Sequence, residues 1–286
     1  SRTRPRKVRG SDELKILVCA ALTLVYQRAA RYSDSMQRYA MIEKLLGETP
    51  LQAIERYRSS AALSRDTPLA YAGRLDPMAT GKLLVLIGDE CKVQTKYHML
   101  DKKYEFEVLF GFQSDTHDIL GLAESHTTPS DPEIRSRTQK CTGTITLPFP
   151  RFSARTVRGI PLHMHTLSGS LRDDEVPTKT STVYSLRRTQ TRTMRGDILL
   201  QTIFEKINSF PEVTDVRKTL GRDFRRADIR ARWHELLDNN ADTEYTVATF
   251  SCTASSGSYM RSLAHALGGL ALSIQRTKIG RYVPLP

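Results

Sequence analysis

From Tyr71 to Lys92 the chain reads YAGRLDPMATGKLLVLIGDECK, and no other stretch constrains its fold as tightly. Leu83 to Ile87 is an unbroken apolar run of strand length, which predicts a buried strand. The loop before it carries one aspartate, Asp76, placed directly before Pro77. A residue in that position is pushed toward extended backbone. Gly73 and Gly81 frame the loop and permit angles or close approaches that a side chain would forbid. The stretch therefore presents a carboxylate on a shaped loop against a rigid core element, where chemistry is often placed. Asp and Pro are also common turn residues, so the Asp-Pro pair by itself reads first as a plain turn.

The wider string discriminates further. GRLDPMATG, followed by an apolar strand and GDECK, resembles the signature loop of the TruB family of pseudouridine synthases, in which an aspartate sits in a G-x-LDP-x-ATG context. Other segments resemble family motifs in the same order. Near the start, Lys44, Gly47 and TPLQAIERYR are similar to a family lysine, glycine and helix, with Leu45 where the family usually has proline. Thr49 and Pro50 suit the N-cap and first turn of that helix. Leu100 to Gly121 begins with Tyr104, Phe106, Val108 and Phe110 in alternation, a strand with one buried face. It closes in SDTHDILG, which resembles a T-D-T-x-D-x-x-G loop with Ser114 in place of the first threonine. Pro148-Phe149-Pro150, Phe152-Ser153 and Gly159 are similar to a family segment with a proline pair and a tyrosine-serine. SSGSYMRSLAHALG resembles the G-x-Y-I-R motif before a helix, and IQRTKIGRY the R-T-x-I-G-x-Y that follows it. The resemblance runs from about Lys44 to Tyr282.

This resemblance implies an α/β (α+β) pseudouridine synthase fold: a mixed, mainly antiparallel bent sheet flanked by helices. Apolar spacing predicts helices through Leu14 to Leu46, with Gly47 as a C-cap, so a basic arm and helical extension are expected over 1–46. The catalytic domain is expected over 47–286. Within it, 197–240 reads as a helical insertion, ILLQTIFEKINSF and DIRARWHELL around the basic run Arg217 to Arg226. That insertion is either a solvated pair with charged faces or an RNA-contacting one. Several family members continue into an extra RNA-binding domain; it is expected to be absent here.

The implied reaction is isomerisation of a flipped-out uridine in RNA to pseudouridine, with no metal or organic cofactor. Asp76 is the expected carboxylate near the sugar; attack on the sugar, attack on the base and ribose proton abstraction all remain open. Arg261 is expected to pair with it and keep it ionised, the alternative being a structural salt bridge at a helix start. Tyr104 is expected to stack on the base near the carbon that loses its proton, or else to be an ordinary strand-face aromatic. Lys44, Tyr71, Gly73, Arg74, Lys92 and Tyr259 are expected to line the site. Tyr71 stands in the neighbourhood where several family members have histidine.

Charge agrees with such a partner. Forty-three Lys and Arg against 31 Asp and Glu give a net charge of +12, which favours a polyanion. A T-loop uridine of tRNA is the first expected target. Ribosomal RNA and ribosome-assembly proteins are the alternative partners, for a protein that uses the fold as an RNA-binding module. The four cysteines are far apart without a CxxC pair, which argues against a zinc site or disulfide framework. His163 and His165 lack an obvious third ligand. No apolar stretch approaches the ~20 residues of a membrane-spanning helix. The basic, acid-poor start leads to an expected mitochondrial matrix location, with the cytoplasm as the alternative.

Overall fold

The computed structural model describes residues 37–153, 155–210 and 225–280. An eight-stranded sheet dominates. Its strands are β1 (Tyr39–Lys44), β2 (Leu69–Ala72), β3 (Ala79–Ile87), β4 (Lys102–Phe110), β7 (Gly143–Pro148), β10 (Thr178–Arg195), β11 (Glu244–Ala254) and β12 (Gly269–Ile279). They run in the order β1-β3-β12-β4-β11-β10-β7, with β2 added on β3. The β3–β12 pair is parallel and the others are antiparallel. Two short hairpins lie outside it: β5 (Phe112–Ser114) with β6 (Ala123–Ser125), and β8 (Thr156–Val157) with β9 (Ile160–Pro161). The helices are α1 (Pro50–Ser60), α2 (Gln94–His98), α3 (Asp131–Lys140), α4 (Leu162–Ser168), α5 (Gly196–Asn208), α6 (Arg226–Leu237) and α7 (Met260–Leu267). The mixed, mainly antiparallel sheet with flanking helices matches the expected fold class.

Helix α1 starts as its sequence dictates. Thr49 and Gln52 form a capping box, and Pro50 sits at the first turn. Residues 39–46, by contrast, are not helical. Their Ala, Met, Glu, Lys and Leu content favours helix, but Tyr39–Lys44 pairs with β3 instead. Tyr39 and Met41 pack beside Leu84 and Leu86, while Ala40 and Ile42 pack with Ile54, Val85 and Ile87. Burial of both faces outweighs the local preference. The expected helices before residue 37 lie outside the described residues.

The expected helical pair is present as α5 and α6, although most of the basic run between them is outside the described residues. It is not simply solvated. Leu199, Ile203, Ile207, Ile229, Trp233 and Leu237 join the main core with Phe106, Phe250 and Leu263. Trp233 Nε1 donates to the Ile119 carbonyl at 2.9 Å, and Arg225 Nη1 donates to Asp115 Oδ2 at 2.6 Å. Both contacts brace the loop that follows β5.

Candidate active site

Three segments distant in sequence converge on one cleft of ≈530 Å³. The first is the loop between β2 and β3, which supplies Gly73, Arg74 and Asp76. The second is β4 with Lys102 and Tyr104, and the third is the turn and helix carrying Tyr259 and Arg261. The volume falls within the range usual for small-molecule sites. Gly73 and Gly81 have φ of +83° and +100°. A Cβ at Gly81 would lie 2.3 Å from the Arg276 carbonyl oxygen, so only glycine allows β3 to run this close to β12.

Arg261 fixes Asp76. Its Nε and Nη2 both lie 2.8 Å from Asp76 Oδ2. Among the described residues nothing donates to Oδ1, and the Asp76 side chain is 41% exposed on the cleft wall. One oxygen is thus anchored and the other is left for a ligand. The arginine itself is only 6% exposed. Its remaining donors reach the Thr116 carbonyl at 3.0 Å and the Phe152 carbonyl at 3.3 Å, and Nη1 lies 3.4 Å from Asp118 Oδ2. Burial works against the guanidinium charge, but Asp76 and Asp118 overcome it and hold the arginine above its usual range.

Asp118 is a second carboxylate that the sequence placed in a motif but not in the site. Thr116 Oγ1 and the Leu120 amide donate to its Oδ1 at 2.6 and 2.9 Å. Burial nonetheless pushes its carboxyl up, with Arg261 the largest opposing influence. Ser114 closes this loop: its hydroxyl donates to the Asp118 carbonyl at 2.6 Å and accepts from the Asp118 amide at 3.1 Å.

Of the residues expected to line the cleft, Tyr71, Gly73, Arg74 and Tyr259 do so. Tyr259 meets Phe149 edge to face at 5.3 Å. Lys44 lies under the loop rather than on the cleft wall. It is buried, its ammonium donates to the carbonyls of Leu45 and Pro77, and burial lowers its pKa to about 8. Lys92 is elsewhere. It stands on the 3₁₀ turn Gly88–Val93, 78% exposed, and pairs with Asp89 at 2.7 Å. The expectation for Lys92 is therefore corrected: the turn after β3 points this long side chain to solvent. His165 is structural, bonded to the Ser170 hydroxyl and the Val157 carbonyl at 2.8 and 3.0 Å.

Two basic residues of the cleft were not expected there, although Arg276 belongs to the quoted IQRTKIGRY motif. Lys102 and Arg276 line the cleft and are both buried. The signal was in the alternation: Lys102 shares a strand face with Tyr104 and Phe106, and Arg276 with Leu272 and Ile274.

The TruB family pseudouridylate synthase model (N-terminal domain) matches residues 63–206, half of the 286-residue chain. The chain belongs to the TruB family. A TruB relative from Caldicellulosiruptor saccharolyticus, called tRNA pseudouridine synthase B, is 29% identical over 53% of this chain and 51% of its own length. One of the same name from Nitratidesulfovibrio vulgaris is 28% identical over 80% of this chain and 56% of its own. The chain thus spans about half the length of the curated TruB relatives it matches. A solved Cbf5-Nop10-Gar1 complex overlays 85% of this chain and 48% of that one, at 14% identity and a TM-score of 0.48.

Next to Asp118 in this TruB chain, His117 stacks on His265 with ring centroids 4.1 Å apart and 7° between planes. Neither Nδ1 has a partner among the described residues. Burial, aided by the charges of His265, Arg261 and Arg151, lowers His117 to about 3; burial and His126 lower His265. An unfolded histidine takes its proton near 6.5. Between pH 6.5 and 3 the unfolded chain therefore holds more protons, so stability is present above that window and lost as pH falls through it. His117→Asn, which suits the left-handed backbone at this position, removes one such proton. Urea unfolding at pH 7.5, 6 and 5 is expected to show a shallower loss in the variant, by at most about 1.4 kcal/mol per pH unit. Equal slopes would show that His117 is not buried neutral.

Proposed function

We propose that the protein isomerises a uridine in RNA to pseudouridine. The observation that carries this reading is the Asp76–Arg261 pair: a carboxylate held through one oxygen, the other free on a nucleotide-sized cleft that Tyr104 shares. The C1′–N1 bond breaks, the base turns over, and C1′–C5 forms. C5 loses its proton and N1 gains one, so the reaction is balanced without an oxidant or reductant. Asp76 provides charge or nucleophilicity beside the sugar, and Arg261 keeps it ionised and aimed. Tyr104 takes the C5 proton.

The substrate proposed first is the T-loop uridine of tRNA, in keeping with the names of the relatives. Tyr71 lines the cleft and would stack against the flipped base or its neighbour. The net charge of +12 also favours a second reading, an RNA-binding factor in ribosome assembly that keeps or dispenses with catalysis. Crosslinking the protein to cellular RNA, followed by pseudouridine mapping at the bound sites, separates them. Modified uridines at the bound sites that vanish when the protein is depleted support the enzyme. Bound ribosomal RNA without any such loss supports the assembly role. The mitochondrial matrix is the compartment proposed, and cell fractionation tests it.

A further inference from the structure

Arg276 is a buried cation without an anion. It is 1% exposed. Its Nε donates to the Lys82 carbonyl at 2.8 Å, Nη1 to Arg74 at 3.2 Å and Nη2 to Gly73 at 3.2 Å. Among the described residues no carboxylate lies within ion-pair reach of it. Lys102, its neighbour across Gly73, offers no compensation; its ammonium donors are engaged by the carbonyls of His98 and Leu100 and by the Ser256 hydroxyl. Both cations are thus held chiefly by protein oxygens.

One titratable group does face Arg276. Tyr104 lies directly opposite it in the β4–β12 register, and both residues line the same cleft. A register shift between Arg276 and Lys278 marks a local irregularity in β12 at this point, of the kind that re-aims side chains beside active sites. The same arginine clamps the Gly73 and Arg74 carbonyls, three and two residues ahead of Asp76. A single side chain thus ties the aspartate loop to the tyrosine.

We propose that Arg276 is a positioning residue that makes Tyr104 a competent proton acceptor, with its positive charge stabilising the phenolate form. The proposal rests on the function proposed above. A neutral phenol cannot take the C5 proton without giving up its own. The working form is therefore a phenolate whose own proton has gone to water. Its oxygen takes the C5 proton, N1 gains a proton from solvent, and the regenerated phenol returns its proton to water. The Arg276 interaction strengthens as Tyr104 becomes anionic, which is the condition for accelerating the step rather than merely binding substrate. Burial raises the Tyr104 hydroxyl pKa and Arg276 is the largest influence opposing it, while Cys252, its partner on β11, and Asp76 raise it further.

The test is single-turnover pseudouridine formation against pH for the wild type, Arg276→Gln, Arg276→Lys, Tyr104→Phe and the Tyr104→Phe/Arg276→Gln double variant, with RNA affinity measured alongside. Arg276→Gln is expected to lower the rate about 100-fold with affinity within about threefold. The rising acidic limb should move to higher pH by at least about one unit, and Arg276→Lys should recover part of the rate. On the Tyr104→Phe background the same substitution should cost less than about threefold, since the two act as a unit. Additive losses, an unmoved limb, or a loss confined to affinity would overturn the proposal. If Arg276→Gln does not fold, 3-fluorotyrosine at position 104 of the otherwise intact chain gives the same answer. The more acidic phenol must move the limb to lower pH; a limb that stays in place overturns the proposal. A wild-type protein that forms no pseudouridine in any crosslinked RNA would instead reject the underlying function.

Discussion

Asp76→Asn is expected to abolish pseudouridine formation, by more than about 10⁴-fold in single turnover, while leaving RNA binding and folding nearly intact. Asparagine has the same shape. Its amide oxygen can still accept from Arg261 Nε and Nη2, so the loop keeps its anchor. Arg261 also keeps Asp118 as a counter-charge at 3.4 Å. What disappears is the negative charge on the exposed oxygen, the group proposed to stand beside the sugar. Mass-spectrometric detection of pseudouridine in the bound RNA reads the effect directly. A variant working within tenfold of the wild type would remove Asp76 from the chemistry and leave it a turn residue.

Arg261→Met is expected to fail in two ways at once. Activity falls because Asp76 loses its partner, and the fold loses about 3–5 kcal/mol because buried Asp118 is left without a cation. Urea unfolding separates the two effects when Asp118→Asn is added. That second change removes the stranded charge, so part of the stability should return while activity does not. Unchanged unfolding in Arg261→Met would mean that the Asp76–Arg261–Asp118 chain does not hold these loops together. Equal stability of the single and double variants would mean that Asp118 is not ionised in the native protein.

The sequence disclosed the site wherever chemistry and periodicity coincided. Asp76 stood out because GRLDPMATG resembles the family's signature loop, Tyr104 because it heads the alternating strand of a second motif, and Arg261 because GSYMR resembles a third. Each is carried by a short contiguous string. Residues 39–44 defeated that approach, because the reason for their extended form is β3, some 40 residues away along the chain. Lys92 failed for a different reason. Its proximity to the Asp76 loop in sequence says nothing about direction, and a 3₁₀ turn sends it outward. Arg276 was hidden by its charge. A buried arginine is rarely assumed from an alternating pattern, and the carbonyls that hold it come from the loop before β3 and from β3 itself.

The position of β12 has a consequence for how the protein is made. This strand is the last of the sheet in sequence, yet it lies between β3 and β4 at the centre. It carries Arg276 and follows the helix that carries Arg261. A growing chain can pair β1, β2 and β3, or β4 with β11, but it cannot join those halves until residues 269–279 have left the ribosome. Such long-range closure is slow. It also means that a chain still lacking β12 carries Asp76 but not Arg276, so the proposed site is complete only once the sheet is.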